Sequence, residues 1–256
     1  MPVIALVSAK GSPGVTTTAA ALAAAGVAAG RPTAWVELDP TGGSGWVQSR
    51  ASHPGTEPTL GELARSIRDG TVGADWARFT VPVPPGVPGV LAPPGRPAAS
   101  TIIAEGTTSW CEVLGQGEAV VAVDTGRWSG DAKDAIRLAG ADVVGLVCRS
   151  TLESTEHAWH LVGPLRDAAR CPVALVVVGT KPYHGLDVAS ALGLPLAGVM
   201  EWRRRDVAAL WATGGARTIL VRNAARVLDG LLAAMPGADG RLALAPAVPA
   251  EAGPPR

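Results

Sequence analysis

The sequence contains few of the residues that mark secreted, disulfide-stabilised or nucleic-acid-binding proteins. Its 256 residues include three cysteines, one tyrosine, one phenylalanine and only three lysines, and the formal net charge at pH 7 is zero. Because Cys111, Cys148 and Cys171 are odd in number and lack a CxxC spacing, we expect buried free thiols in a reducing cytosol rather than disulfides or a zinc site. The neutral charge argues against nucleic acid as a partner.

Long apolar runs and targeting signals are also lacking. No stretch of about 18 apolar residues is free of helix breakers, which argues against stable membrane insertion. The apolar run near the N-terminus has the length of a strand, and no charged region or cleavage site flanks it, so no signal peptide is indicated. These absences favour a soluble protein in the cytoplasm.

The chain length fits one large α/β domain with a substantial core. We assign this domain to residues 1–235. Residues 236–256 are rich in alanine, proline and glycine, and we predict that they form a disordered tail.

A glycine-containing loop lies between a predicted strand and a predicted helix near the N-terminus. The apolar run 2–7 precedes residues 8–18, and the alanine-rich segment 19–29 follows them. Strand, loop and helix in this order form a phosphate-binding P-loop, in which backbone N–H groups and the helix N-terminus converge on an anion. We therefore predict an anion-binding loop here.

The loop departs from the P-loop consensus G-x-x-x-x-G-K-[ST] at two positions. Ala9 stands at the first glycine, and Val15 stands where the lysine that contacts phosphate belongs, whereas Gly14 and Thr16 fit. The nearby cation is Lys10, on the N-terminal side of the loop.

Carboxylates end two further predicted strands. One strand covers residues 33–39 and ends with Glu37 and Asp39, and the other covers residues 118–124 and ends with Asp124. Alternation of strands and helices at this spacing predicts a three-layer, doubly wound, mostly parallel sheet with helices on both faces. Because ligands bind beyond the carboxyl ends of such strands, we expect these carboxylates beside the P-loop.

Taken together, these motifs resemble the MinD/ParA family of P-loop ATPases, whose deviant Walker A loop reads roughly K-G-G-x-G-K-[ST]-[ST]. Here the loop reads K-G-S-P-G-V-T-T from Lys10 to Thr17. The first carboxylate strand ends E-L-D-P where the family has D-x-D-P, and the second ends D-T-G where the family has D-T-P. The resemblance covers about residues 1–235 and implies the P-loop NTPase fold.

The resemblance also implies residues that bind ATP and Mg²⁺. Lys10 would reach across a nucleotide-sandwiched homodimer to the partner's phosphates, and Asp39 would orient or activate the attacking water. Thr16 and Asp124 would hold Mg²⁺. The residues implied to contact the nucleotide are Lys10, Gly11, Ser12, Pro13, Gly14, Val15, Thr16 and Thr17.

The details of these motifs further resemble an actinobacterial branch of the family, related to the positioning ATPases of Tad pilus and secretion machines. This implies an ATP-dependent dimerisation switch that positions or regulates a partner machine in pilus assembly, secretion or chromosome partitioning. A motor ATPase of a pilus or secretion system is the implied protein partner. The membrane-binding amphipathic helix that often ends MinD-type proteins has no counterpart in residues 236–256.

Valine at position 15 leaves two functions open. A P-loop lysine makes charge-assisted hydrogen bonds to phosphate, each worth about 1.5–3 kcal/mol, and stabilises the transferring phosphoryl group. Without it, the chain is either a weak ATPase that works by dimerisation or a pseudo-ATPase scaffold that acts through protein contacts alone. Turnover that depends on Lys10 would distinguish the two.

Other interpretations have weaker support. Glu37 lies about 20 residues after the glycine loop, as in a dehydrogenase, but the loop is not G-x-G-x-x-G. A guanine-binding [NT]-K-x-D motif would need aspartate at Tyr183. His157 and His160 lack a third metal ligand. The proline-rich segment 81–98 is read as containing a short strand, with a polyproline ligand as the alternative.

Periodicity predicts several further elements. A helix starts at Thr59, which forms a capping box with Glu62. The other predicted elements include a helix over residues 100–114 that Ser100 and Thr101 cap, helices over residues 152–169 and 218–235, and a last strand over residues 192–200. The three arginines at 203–205 form either a solvated turn or a patch for phosphate, lipid or a partner.

Overall fold

Parallel strand pairing organises the structure. The computed structural model describes residues 1–11, 14–50, 54–105 and 110–236. Its strands are β1 (Val3–Ser8), β2 (Thr33–Glu37), β3 (Val81–Pro82), β4 (Pro88–Val90), β5 (Val120–Arg127), β6 (Val143–Arg149), β7 (Val173–Val178) and β8 (Leu196–Met200). They form one sheet in the order β3-β4-β2-β5-β1-β6-β7-β8. Every neighbouring pair is parallel except β3 with β4.

Helices cover both faces of this sheet. They are α1 (Val15–Ala28), α2 (Ser44–Arg50), α3 (Leu60–Arg68), α4 (Arg96–Glu105), α5 (Trp110–Gly115), α6 (Ala132–Leu138), α7 (Leu152–Ala169), α8 (Gly185–Leu192), α9 (Arg204–Thr213) and α10 (Ile219–Ala233), with a 3-10 helix at Gly73–Phe79. Helices α1, α9 and α10 pack on one face, and α3 to α8 pack on the other.

The central strand β1 lies between β5 and β6 and is buried on both sides. Val3, Ala5 and Val7 pack against the α3–α8 layer, whereas Ile4 and Leu6 pack against the layer of α1, α9 and α10. A strand covered on both faces needs a continuous apolar run rather than an alternating one, which is the pattern seen in the sequence. The predicted three-layer, doubly wound sheet is confirmed.

Two element boundaries differ from the prediction. The helix predicted over residues 100–114 corresponds to two helices, α4 and α5, with residues 106–109 outside the described ranges. The first of them begins at Arg96, since Pro97 is compatible with a first helical turn. The hydroxyl groups that were expected to cap this helix donate instead to backbone carbonyls one turn earlier. Thr101, for example, donates to the carbonyl of Pro97 at 2.8 Å. The strand predicted from residue 192 begins at Leu196, because the preceding residues form the end of α8.

The predicted capping box at Thr59 is wrong. Thr59 does precede α3, but its side chain makes no capping hydrogen bond to the helix. Its hydroxyl instead accepts the N–H of Leu91 at 3.3 Å, which ties the start of α3 to the segment after β4. That segment is the proline-rich one, and its short strands pair at the sheet edge, where proline is tolerated. The strand interpretation is therefore confirmed.

The last described helix, α10, matches the prediction closely. Its N-cap is Thr218, whose hydroxyl accepts the N–H of Val221 at 3.2 Å. Among the described residues, no helix is long and apolar enough to cross a membrane. Of the predicted tail, residues 237–256 lie outside the described ranges.

Trp35 on β2 connects the layers around the sheet edge. It is fully buried, and its indole Nε1 donates to the carbonyl of Val83 at 2.6 Å. Its ring meets that of Trp211 edge to face, with centroids 5.9 Å apart. Trp35 thus holds both the proline-rich edge and α9 against β2.

We predict that Trp35→Phe destabilises the protein by about 1–3 kcal/mol, because the buried carbonyl of Val83 loses its donor. Urea unfolding followed by circular dichroism measures this loss. The matched control is Trp159→Ala on α7, where the side chain is 40% exposed and the expected change is within about 0.5 kcal/mol. Equal effects of the two substitutions would contradict the role assigned to Trp35.

Candidate functional site

The anion-binding loop begins where β1 ends. Gly14 adopts a left-handed conformation with φ of 100°, which glycine does without steric cost. Its carbonyl accepts the N–H of Thr18 at 2.8 Å, so Gly14 is the N-cap of α1. The first-turn N–H groups of α1 therefore follow the loop directly, as an anion site at a helix N-terminus requires. Ser12 and Pro13 lie outside the described residues.

Val15, at the lysine position, is turned into the core. Its side chain is 6% exposed and belongs to the apolar cluster between the sheet and helices α1, α9 and α10. The following residues, Thr16 and Thr17, are half-buried. An anion could therefore receive from Val15 only its backbone N–H.

Lys10 forms an ion pair within its own chain. Its Nζ donates to Oε1 of Glu153 in the first turn of α7, and the two side chains are 42% and 69% exposed. The hydrogen bond and the charge of Lys10 lower the pKa of Glu153. Because an ion pair this exposed contributes little to stability, it is readily exchanged for other partners.

Asp124 is completely buried at the end of the apolar part of β5. Its Oδ1 accepts the N–H of Gly126 at 2.9 Å, whereas Oδ2 has no hydrogen-bond partner among the described residues. The pKa of Asp124 is raised to about 7, mainly by burial and to a smaller extent by the negative charge of Asp39. The Thr16 side chain lowers this pKa. A buried carboxylate oxygen without a partner, beside a threonine hydroxyl, fits a hard cation such as Mg²⁺.

Asp39 lies directly against the backbone of Gly126. A Cβ added to Gly126 would be 2.3 Å from Cγ of Asp39, and Gly126 has a φ of 70°. The Asp39 carboxylate also accepts the N–H of Thr41 at 2.8 Å. At this distance only glycine leaves room for the Asp39 carboxylate. The structure thus brings Asp39 and Asp124 to the same edge of the sheet.

Glu37 is a third carboxyl group at this edge, opposite Asp124 in the register of β2 and β5. It is fully buried, and its two oxygens accept the N–H groups of Gly45 at 2.8 Å and Ala92 at 3.1 Å. Burial, followed by the charge of Asp124, raises the pKa of Glu37 to about 8. Glu37 therefore fastens the start of α2 and the segment after β4 to β2.

Arg137 is a buried cation that the sequence analysis did not identify. Its Nη1 donates to the carbonyls of Thr125 at 2.6 Å and Leu38 at 3.4 Å, and Nη2 pairs with Asp134. Thr125 follows Asp124 and Leu38 precedes Asp39, so Arg137 links the two strand ends that carry these carboxylates. In the sequence, an aspartate followed three residues later by an arginine on a short helix is typical of an exposed ion pair. Nothing in the sequence therefore indicated that Arg137 is buried.

Trp202 is a second residue whose position was not predicted. It lies between β8 and α9, and a Cβ added to Gly14 would be 2.7 Å from Cζ3 of the indole. The guanidinium Cζ of Arg149, at the end of β6, lies 5.8 Å from the centroid of the Trp202 ring. An aromatic side chain therefore borders the candidate P-loop.

The arginine turn beside Trp202 is partly neutralised. Arg203 donates to Glu201 at 2.7 Å, and Arg205 lies 3.5 Å from Asp206. These pairs favour a solvated turn over a patch for an external anion.

Among the residues that the structure describes, the histidines and cysteines form no further candidate site. His160 lies 3.3 Å from Glu156 on the same helix. No group of three or more His, Cys, Asp or Glu side chains within the described ranges is arranged to hold a metal ion. The three cysteines are free thiols, and burial raises the pKa of Cys111 to about 12, so it is protonated and unreactive at neutral pH.

Comparisons with known proteins identify the fold. No known family model matches the sequence, and no curated protein matches it. Among solved structures, the ParA family ATPase from Chlorobium tepidum has 16% sequence identity and a TM-score of 0.70, covering 90% of this chain and 97% of that chain. The fold is therefore that of the ParA and MinD P-loop NTPases.

Structures solved with nucleotide have the same fold. The septum site-determining protein MinD from Pyrococcus horikoshii, complexed with Mg-ADP, is 15% identical, with a TM-score of 0.65 over 89% of this chain and 94% of that chain. Cobyrinic acid a,c-diamide synthase from Mycobacterium smegmatis, with a bound ATP analogue and magnesium, is 18% identical, with a TM-score of 0.61 over 92% and 98% of the two chains. At these identities the similarity establishes the fold.

We predict that Gly126→Ala displaces Asp39 and destabilises the protein more than a positive φ alone does. The matched control is Gly130→Ala, since Gly130 has a φ of 87° but open space around its Cα. Backbone strain of about 1–3 kcal/mol is expected for both, and urea unfolding should show an additional loss only for Gly126→Ala. Equal losses would show that the contact with Asp39 is unimportant.

A second prediction concerns the pH dependence of stability. The pKa of Glu37 is about 8 in the folded protein, whereas an unperturbed glutamate has a pKa of 4.5. Between these two pH values the folded state therefore retains a proton that the unfolded state has lost. The stabilisation that this proton uptake adds to the free energy of unfolding is therefore fully present below about pH 4.5 and is lost as the pH rises through 8.

The Glu37→Gln variant tests this pH dependence. Its amide can accept only one of the two N–H groups, so at pH 5 it should be about 1–3 kcal/mol less stable than the wild type. The difference in the free energy of unfolding between variant and wild type should decrease as the pH approaches 9. Urea unfolding at pH 5, 7 and 9 measures this difference. Glu118→Gln removes an exposed carboxylate and controls for the lost charge. A difference in the free energy of unfolding that does not change with pH would contradict the prediction.

Proposed function

We propose that the protein is a MinD/ParA-like nucleotide-binding protein, working as an ATP-dependent dimerisation switch with weak hydrolysis. One observation carries this proposal: the fully buried Asp124 has a carboxylate oxygen without a partner beside Thr16, at the start of the helix that follows the Gly14 loop. Backbone N–H groups of the loop and of α1 would bind the phosphates. Thr16 and Asp124 would hold Mg²⁺, which neutralises phosphate charge when bound.

Weak hydrolysis follows from the charges available at the loop. Val15 is apolar and buried, and Lys10 is paired with Glu153 of the same chain. Asp39 would orient the attacking water, but without a lysine on the phosphates the developing charge is less stabilised. A partner copy that releases Lys10 from Glu153 and receives it at its own phosphates would restore part of this charge.

A pseudo-ATPase scaffold is the second candidate function. It is favoured by the same buried Val15 and by the indole of Trp202 against Gly14, which narrows the approach to the loop. In this case the fold would serve protein contacts alone.

The biological setting belongs to the proposal as well. We propose a cytoplasmic protein that forms a homodimer with nucleotide and positions a partner machine in pilus assembly, secretion or partitioning. The resemblance to the actinobacterial branch, carried by the loop and the E-L-D-P strand end, supports this setting.

The deciding experiment is calorimetry with Mg-ATP and Mg-ADP, with light scattering on the same samples. Micromolar binding with a shift in mass to the dimer is expected. Asp124→Asn should remove the effect of Mg²⁺ on affinity, because the carboxylate that would hold the cation is lost. If millimolar nucleotide does not bind, the proposed dimerisation switch is wrong, and the pseudo-ATPase scaffold is the function that is still supported.

Lys10→Ala tests the two candidate functions against each other. It should abolish dimerisation and any ATP turnover while monomers still bind nucleotide, since Lys10 is proposed to act on the partner's phosphates. Lys181→Ala removes another exposed lysine and is the matched control. Absence of turnover in the wild type would favour the pseudo-ATPase.

A further inference from the structure

We infer that Arg137 on α6 is a positioning residue for the proposed Mg²⁺ site and sets the separation of Asp124 from Asp39. This inference rests on the proposed function and deepens it, because it names a side chain that would act on both carboxylates without contacting the ligand. Arg137 lies outside the P-loop and outside the two strands that carry these carboxylates.

The guanidinium of Arg137 holds the backbone on both sides of the candidate site. Its Nη1 donates to the carbonyl of Thr125 at 2.6 Å and to that of Leu38 at 3.4 Å. Thr125 directly follows Asp124, and Leu38 directly precedes Asp39. Because one planar group spans the two strand ends, its removal would let the two carboxylates shift relative to each other.

The Arg137 side chain bridges β2 and β5 where their own hydrogen bonds end. The last backbone bond between the two strand ends runs from the N–H of Leu38 to the carbonyl of Asp124, at 2.7 Å. Beyond that level, no backbone hydrogen bond among the described residues joins residues 39–41 to residues 125–127. The geometry of the carboxylates therefore depends on a side chain there.

Stability alone does not account for a buried cation at this place. Arg137 is 4% exposed and, among the side chains that the structure describes, is the only buried arginine, lysine or histidine. Its Nη2 pairs with Asp134, whose Oδ2 accepts the N–H and the hydroxyl of Ser129. An apolar pair of similar volume is often as stable as a buried ion pair. An apolar pair, however, cannot donate to two carbonyls in fixed directions, as a guanidinium does.

The test measures how strongly Mg²⁺ increases the affinity of the full-length protein for ATP, by calorimetry with Mg-ATP and with ATP in EDTA. Arg137→Met keeps much of the side-chain length but loses every donor. The increase in affinity caused by Mg²⁺ should fall about 10-fold or more, because groups that orient metal ligands contribute about 10- to 100-fold to metal affinity. The affinity for ATP in EDTA should not change, since Arg137 has no hydrogen bond to the loop or to α1.

A second variant separates positioning from stability. Arg137→Met combined with Asp134→Asn removes both charges and leaves an acceptor for the N–H of Ser129. This double variant should unfold at a higher urea concentration than Arg137→Met alone, because no unpaired buried charge is left. Its response to Mg²⁺ should stay as weak as in the single variant. Recovery of both the stability and the Mg²⁺ response would show that Arg137 is merely structural.

Arg166 on α7 supplies the matched control. Its Nη2 donates to the carbonyl of Gly193 at 2.7 Å, so it also joins a helix to a backbone carbonyl, but outside the candidate site. Arg166→Met should leave the affinity for ATP unchanged both with Mg²⁺ and in EDTA.

The remaining outcomes each overturn the inference. An unchanged Mg²⁺ response in Arg137→Met would show that Arg137 does not position the carboxylates, while Mg-ATP binding by the wild type would leave the proposed function intact. Equal weakening of ATP binding with Mg²⁺ and in EDTA would make Arg137 a general support for the fold. A wild type that binds ATP in neither condition would overturn the proposed function and the inference with it.

Discussion

The burial of carboxyl groups at the ends of β2 and β5 constrains the whole candidate site. The register of these strands places Glu37 opposite Asp124, and both are removed from water. Glu37 is satisfied by two backbone N–H groups, which fix the segments on either side of it, whereas one oxygen of Asp124 has no partner among the described residues. Because an unpaired buried acceptor is costly, this oxygen is the point at which a ligand would gain most.

The residues that depart from the MinD/ParA motifs, which the sequence resembles, fit one another in the structure. Glutamate at position 37 is long enough to hold both Gly45 and Ala92. Glycine at position 126 makes room for Asp39, and the buried Arg137 holds the backbone on either side of the carboxylate pair. At the loop, Val15 has joined the apolar core next to Trp202. The carboxylate edge is thus complete, whereas the loop carries a buried valine at position 15.

Much of the fold could be predicted because its signals are local. Continuous apolar runs, turn residues and the P-loop order specify parallel strands with helices between them, and the parallel sheet then places strand-terminal carboxylates at one edge. The predictions failed where local chemistry had two outcomes. Thr59 and Thr101 both carry hydroxyls typical of helix caps, yet these bond to Leu91 and Pro97.

The sequence by itself determined the sheet, the loop and the edge at which Asp39 and Asp124 meet, since these follow from patterns of neighbouring residues. Only the tertiary structure decided the partners of Lys10, the burial of Arg137 and the contact of Trp202 with Gly14. Lys10 and Glu153, Arg137 and Leu38, and Trp202 and Gly14 are each far apart in the chain and are brought together by packing of separate elements. Contacts of this kind depend on the shape of the assembled core, which no local spacing of residues encodes.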